Sequence, residues 1–134
     1  MTNNTTRTTP ALPWMLILGL ASLSLLWPLT TLLGVGNGAP RALMILGVTA
    51  AVWVGMVGFG RVRRPVLTLT ITGLVYGFIA LVLAGITPGG GGPFGDTASL
   101  WGLIPGLIMN AGVGALVGLL ALAVQKMIGP RKEA

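Results

Sequence analysis

Four long apolar segments set the strongest limit on how this chain can fold. Apart from Arg41 at the start of the second segment, none contains a charged residue, and they cover residues 11–33, 41–59, 66–87 and 100–125. A helix needs roughly 20 apolar residues to cross a hydrocarbon core about 30 Å thick. The sequence therefore predicts an all-α, polytopic integral membrane protein whose four transmembrane helices form an up-down bundle.

A soluble helical bundle is the alternative, and the composition argues against it. The chain is 54% hydrophobic and 7% charged, whereas soluble domains carry roughly 25% charged residues. None of the four segments has a polar face that could be turned toward water. The excess of Arg over Lys and the abundance of Gly, Ala, Leu and Val are typical of a GC-rich bacterial genome.

The segments form one predicted transmembrane domain, residues 11–127, between a polar tail at 1–10 and a charged tail at 128–134. The first tail is rich in Thr and Asn, which is typical of disorder. Within the first helix, Pro28 should kink or open the last turns, with Ser24 placed to satisfy a freed carbonyl. The glycine-rich residues 88–99 form a predicted flexible linker. Its end supplies an N-cap for the fourth helix, and the candidates are Asp96, Thr97 and Ser99.

The basic residues predict how the chain lies in the membrane. With four crossings, seven of the eight basic residues fall on one side, namely Arg7, Arg61, Arg63, Arg64, Lys126, Arg131 and Lys132. The positive-inside rule then places both termini in the cytoplasm. The expected location is the plasma (inner) membrane, with the chain crossing it several times. The cluster Arg61, Arg63 and Arg64 is first an orientation anchor. Its alternative role is binding to anionic lipid head groups or an acidic partner.

Small residues recur on the third and fourth helices at spacings that favour close helix packing. On the fourth helix a stripe at four-residue spacing contains Gly102, Gly106, Asn110, Gly114 and Gly118. On the third helix Gly73 and Gly77 belong to a seam of period 3.5 from Thr70 to Thr87. The first spacing favours a right-handed crossing and the second a left-handed one. The two faces therefore need not meet. The partner of the fourth helix is the third helix, a second copy or another protein.

Four polar side chains are predicted to lie at one depth in the membrane. At roughly 1.5 Å per residue, all four lie about 12–17 Å below the outer surface, and they are Ser24, Thr49, Tyr76 and Asn110. One interpretation is hydrogen bonding between helices, which stabilises a helix bundle by an average of about 0.6 kcal/mol per contact. The other is a small polar pocket for a neutral ligand or a lipid head group.

The side chains offer little for catalysis or metal binding. The chain contains no Cys and no His, the residues that supply thiolate and imidazole ligands and the commonest general base. Its only carboxylates, Asp96 and Glu133, are predicted on opposite sides of the membrane, where they cannot form an acid–base pair. We therefore predict no enzyme activity, no catalytic residues, no metal and no cofactor.

The net charge of +6 raises nucleic acid as a partner, but most of the basic residues flank apolar segments, where they serve orientation instead of phosphate contacts. The expected partners are the lipid bilayer, anionic head groups, and a second copy or another membrane protein.

These observations favour a small non-enzymatic four-pass membrane protein acting as an accessory, scaffold or assembly subunit, or as a homo-oligomer. The alternative is a transporter or channel subunit for a neutral or lipidic solute. Ion-driven carriers usually mark their path with an intramembrane ionisable group, and none lies in the core of these segments. A water-accessible opening that reaches Asn110 would favour transport, whereas a filled bundle with an exposed small-residue face would favour partner binding.

Overall fold

The structure, a computed structural model, describes residues 12–36, 38–86 and 100–129. Within these ranges it contains four helices, α1 (Trp14–Leu32), α2 (Ala39–Phe59), α3 (Pro65–Ile86) and α4 (Leu100–Ile128). All four are long and apolar enough to cross a membrane, so the prediction of a helical chain with four spans of this kind is confirmed. The tail at 1–10 and the predicted N-cap residues Asp96, Thr97 and Ser99 lie outside the described residues.

A short change of helical pitch divides α1. A 3₁₀ turn, Ser22–Leu25, separates two α-helical pieces, and Pro28 is the third residue of the second piece. Pro28 has no N–H to donate to the carbonyl of Ser24, four residues earlier, and the tighter winding falls at that point of α1. The role expected for Ser24 is wrong, because its buried Oγ has no hydrogen-bond partner in the described chain. Ser22 bonds a carbonyl instead, that of Gly19.

The end of α2 is widened and fastened to α4. Its last residues, Gly55–Phe59, form a π turn, which departs from the regular α-helical hydrogen-bond pattern. The Nε2 of Gln125 on α4 donates to the carbonyl of Val57 at 2.9 Å and to that of Val62 at 3.1 Å. One side chain therefore ties the π turn and the loop after it to α4.

The fourth helix extends beyond the predicted residue 125 to Ile128. Gln125 and Lys126 are good helix formers and continue it. Gly129, at φ +82°, ends it in the left-handed conformation typical of helix C-termini.

Helices α3 and α4 touch through their backbones. A Cβ added to Gly73 would overlap the carbonyl oxygen of Asn110, and one added to Gly114 would overlap that of Leu69. A Cβ on Gly118 would lie 2.7 Å from the Cα of Val66. The contacting residue numbers rise along α3 while they fall along α4, so the two helices are antiparallel.

The small-residue faces of α3 and α4 therefore pack against each other, so of the partners that the sequence left open for α4 the structure shows α3. Gly77 on α3 lies beside the side chain of Asn110. Further toward the start of α4, Gly106 is buried and Gly102 is half-buried.

The other two helices pack on the sides of this pair. α1 lies along α3, and α2 meets α4 near the π turn, where a Cβ on Gly58 would lie 3.2 Å from Val124. Buried side chains from all four helices form the core, including Ile17, Leu20, Trp27, Ile45, Trp53, Val57, Leu69, Tyr76, Val117 and Ala121. The fold thus has one closely packed antiparallel pair, α3 and α4, with α1 and α2 packed against it and against each other.

We predict that Gly114→Leu destabilises the protein strongly and that Gly112→Leu does not. Overpacking a filled contact costs about 1–3 kcal/mol, and occasionally more. Gly114 meets backbone, whereas Gly112 on the same helix has no atom within 4 Å of an added Cβ. Unfolding of the purified variants in detergent measures both costs. Equal losses of stability would show that the α3–α4 contact is not close enough to require glycine.

Candidate functional site

A pocket of about 200 Å³ opens between α2 and α4. Its lining comes from all four helices and consists of Trp27, Leu46, Thr49, Ala50, Trp53, Tyr76, Met109, Asn110, Val113 and Val117. Leu46, Met109 and Val113 are exposed, whereas Trp27, Trp53 and Tyr76 are buried. The pocket therefore opens at the side of the bundle, between two helices, and its floor is aromatic.

The aromatic floor is held by hydrogen bonds and ring contacts. The indole Nε1 of Trp27 donates to the Tyr76 hydroxyl at 2.8 Å, and that of Trp53 donates to the Leu20 carbonyl at 3.2 Å. The rings of Trp53 and Tyr76 are edge-to-face, with centroids 5.6 Å apart. Aromatic pairs favour this arrangement. Both indole donors are satisfied, so the floor presents a fixed apolar surface.

Two further polar groups lie in the pocket wall. The Nδ2 of Asn110 donates to the carbonyl of Gly106 at 2.9 Å, within its own helix. Thr49 is buried beside the Tyr76 hydroxyl, but its Oγ1 makes no hydrogen bond of normal geometry in the described chain. The wall thus combines apolar surface with an amide, a phenol and a hydroxyl, which are groups that bind a neutral molecule.

The structure brings three of the four predicted layer residues together. Thr49, Tyr76 and Asn110 line the same pocket. Ser24 is fully buried but does not line it. Sequence reasoning missed Trp27 and Trp53, although Trp53 follows Thr49 by four residues. That spacing places two side chains on one helix face and could have identified Trp53.

Arg41 is a third residue to which the sequence assigned no role in a site. Only 6% of its surface is exposed. Its Nε donates to Thr30 Oγ1 at 2.8 Å, and its Nη2 donates to Thr31 Oγ1 and to the Trp27 carbonyl. Its guanidinium carbon also lies 5.7 Å from the centroid of the Trp27 ring.

These contacts explain how a buried arginine is accommodated. Among the described residues, the carbonyl end of α1, two hydroxyls and an aromatic face stabilise its charge. Arg41 therefore fixes Trp27, and with it the pocket floor. In the sequence, the Thr30-Thr31 pair precedes Arg41 by one short loop, and this spacing could have indicated the contact.

The predicted arginine cluster surrounds a different pocket. Arg61, Arg63 and Arg64 are exposed and line a space of about 270 Å³ together with Leu12, Pro13, Val62 and Thr68. Across the described ranges no three His, Cys, Asp or Glu side chains are grouped as metal ligands would be. The two pockets therefore differ in chemistry, one apolar with neutral polar groups and the other cationic.

We predict that the Trp27–Tyr76 hydrogen bond couples α1 to α3. Tyr76→Phe leaves the buried indole N–H without its acceptor, and the lost bond should contribute about 1 kcal/mol to stability. In a double-mutant cycle with Trp27→Phe, the coupling free energy should be of that size, measured by unfolding in detergent. Additive effects of the two substitutions would show that the bond does not hold the floor together.

The chain matches no family model, no curated protein and no solved structure.

Proposed function

We propose that this chain is a non-enzymatic four-pass membrane protein that acts as an accessory or assembly subunit by docking a second transmembrane helix on α2. The observation that carries the proposal is an unoccupied small-residue stripe at four-residue spacing: Gly47, Ala51 and Gly55. Gly47 and Ala51 are exposed and Gly55 is half-buried. A Cβ added to either glycine would meet no atom within 4 Å.

Physical chemistry explains why such a stripe indicates a partner. A glycine within a helix costs about 1 kcal/mol relative to alanine, and for Gly47 and Gly55 no close contact with the described residues offsets that cost. Between helices in lipid, small residues are favoured because they allow the backbones to approach. Gly114 and Gly118 use the same spacing on α4 to contact α3. The α2 stripe offers an equivalent surface to a helix from outside the chain, of which a second copy is the simplest source.

The proposed placement is an up-down bundle in the plasma membrane with both termini in the cytoplasm. Contacts within the chain support the alternation, since α1 meets α2 at Leu20–Trp53 and at Thr30–Arg41, in opposite order along the two helices. The orientation rests on the basic residues, because the loop at 61–64 carries three arginines on the side proposed to be cytoplasmic.

We predict that a cysteine at the stripe cross-links between chains. The protein has no native cysteine, so Ala51→Cys introduces a single thiol. In proteoliposomes under mild oxidation, Ala51→Cys should form a disulfide-linked dimer, and adding Gly47→Leu should abolish it because a large side chain keeps the partner helix away. Gel mobility without reductant measures the dimer.

The matched control is Gly112→Cys, an exposed glycine position on α4 with open space around it. It should remain monomeric at the same protein-to-lipid ratio. In native membranes, a cross-linked species of one fixed mass that disappears with Gly47→Leu would identify a different partner. If Ala51→Cys cross-links no more than the control in either setting, the docking proposal is wrong.

A second candidate function, supported by the lateral pocket, is binding of a neutral lipidic solute. The pocket reaches Asn110 and Tyr76, as the transport alternative requires, but most of its lining is apolar. An acyl chain or another apolar molecule fits such a lining better than water does. Solute would then enter sideways from the bilayer, between α2 and α4.

We predict that filling the pocket with Ala50→Leu excludes acyl chains from the aromatic floor. In a background with Trp14→Phe and Trp101→Phe, the fluorescence comes from Trp27 and Trp53, and lipids brominated on the acyl chain should quench it. Ala50→Leu should reduce this quenching, whereas Ala51→Leu, on the same helix but not lining the pocket, should not. Equal quenching in both variants would rule out lipid entry through the pocket.

A further inference from the structure

We propose that the arginine pocket beside the start of α3 binds the phosphate head group of an anionic membrane lipid. This pocket, defined by Leu12, Pro13, Arg61–Arg64 and Thr68, is separate from the lateral pocket and from the α2 stripe. The inference rests on the proposed membrane placement but not on helix docking.

The cationic groups of the pocket have no acidic partner within the described ranges. Arg61, Arg63 and Arg64 line it, while the only carboxylates in the sequence are Asp96 and Glu133, both outside those ranges. Three guanidinium groups around one space of about 270 Å³ repel one another. An anion seated among them relieves that repulsion, and guanidinium groups match the oxygens of a phosphate well.

The backbone around the pocket also favours an anion. α3 begins at Pro65, directly after the arginines, and the free N–H groups and dipole of a helix N-terminus attract negative charge. The loop is held in place, because Gln125 donates a hydrogen bond to the Val62 carbonyl at 3.1 Å. The arginines are therefore presented from a fixed turn.

An unsatisfied hydroxyl is the independent sign of a ligand. Thr68 lines the pocket and is fully buried, yet its Oγ1 has no hydrogen-bond partner among the residues the structure describes. Thr70 and Thr72, in the same helix, bond the carbonyls of Val66 and Thr68. A phosphate oxygen bound between the arginines would accept the hydrogen bond that Thr68 does not make within the chain.

The surroundings favour a lipid over a free phosphate ester. Leu12, Pro13 and Val62 supply an apolar wall. The pocket lies where α1 and α3 both begin, at Trp14 and Pro65, which is the depth at which lipid head groups meet acyl chains in the proposed placement. A head group bound here would have its acyl chains continue along the helices.

Titration of the purified protein in a neutral detergent tests the proposal, with bound lipid counted by native mass spectrometry. We expect saturable binding of one phosphatidylglycerol, and weaker binding of phosphatidylcholine and of soluble glycerol phosphate. Arg63→Gln and Arg64→Gln should each weaken the phosphatidylglycerol affinity roughly fivefold. Thr68→Val, which removes only the unsatisfied hydroxyl and keeps the side-chain shape, should weaken it by a similar factor without loss of thermal stability.

Lys126→Gln is the matched control, because Lys126 lines a different pocket from the arginines and lies on the same proposed side of the membrane. The affinity of the Lys126→Gln variant for phosphatidylglycerol should not change. The affinity of Gly47→Leu should not change either, and that variant tests helix docking separately. An equal loss in Lys126→Gln, or no loss in Thr68→Val, would overturn the site in favour of diffuse attraction. Glycerol phosphate bound as tightly as phosphatidylglycerol would overturn the assignment to a lipid.

Discussion

The direct backbone contact between α3 and α4 determines where the other elements can lie. Inside a bilayer, burying apolar side chains gives no gain over lipid, so close van der Waals contact must hold helices together. Gly73 and Gly114 provide it by leaving room for the carbonyls of Asn110 and Leu69. The same contact sets Asn110 beside Gly77 and next to Tyr76, which places the pocket wall against its floor. α1 and α2 then pack on opposite members of this pair.

The sequence predicts the four helices well because length and apolarity alone determine them. It left the partner of α4 open for a geometric reason. The period of the α3 seam was averaged from Thr70 to Thr87, which gave 3.5 residues and suggested a mismatch with α4. Locally, Gly73 and Gly77 are four residues apart, as are Gly114 and Gly118. A contact depends on the local spacing where two helices cross, not on the average along a whole helix.

For the pocket residues, counting along a helix predicts the depth of a side chain but not the direction in which it points. Depth counting uses only the rise per residue, and it placed Thr49, Tyr76 and Asn110 at one level, where they line one pocket. It carries no information about rotation around the helix axis. Ser24 lies in the 3₁₀ turn of α1, whose tighter winding changes the direction of the side chains. Arg41 and Trp27 were missed because their contact joins two helices across a loop.

Helix α2 links the two proposed functions, because one of its faces meets α4 and the pocket while another carries the exposed stripe. Near the π turn it is fastened to α4 through Gly58 and Gln125, whereas further toward its start the lateral pocket separates it from α4. The exposed stripe at Gly47 and Ala51 lies on the part of α2 that borders the pocket. A helix docked there would contact the element that forms one wall of the pocket. Partner binding and pocket opening are therefore expected to influence each other through α2, between the ends that Arg41 and the π turn fasten to α1 and α4.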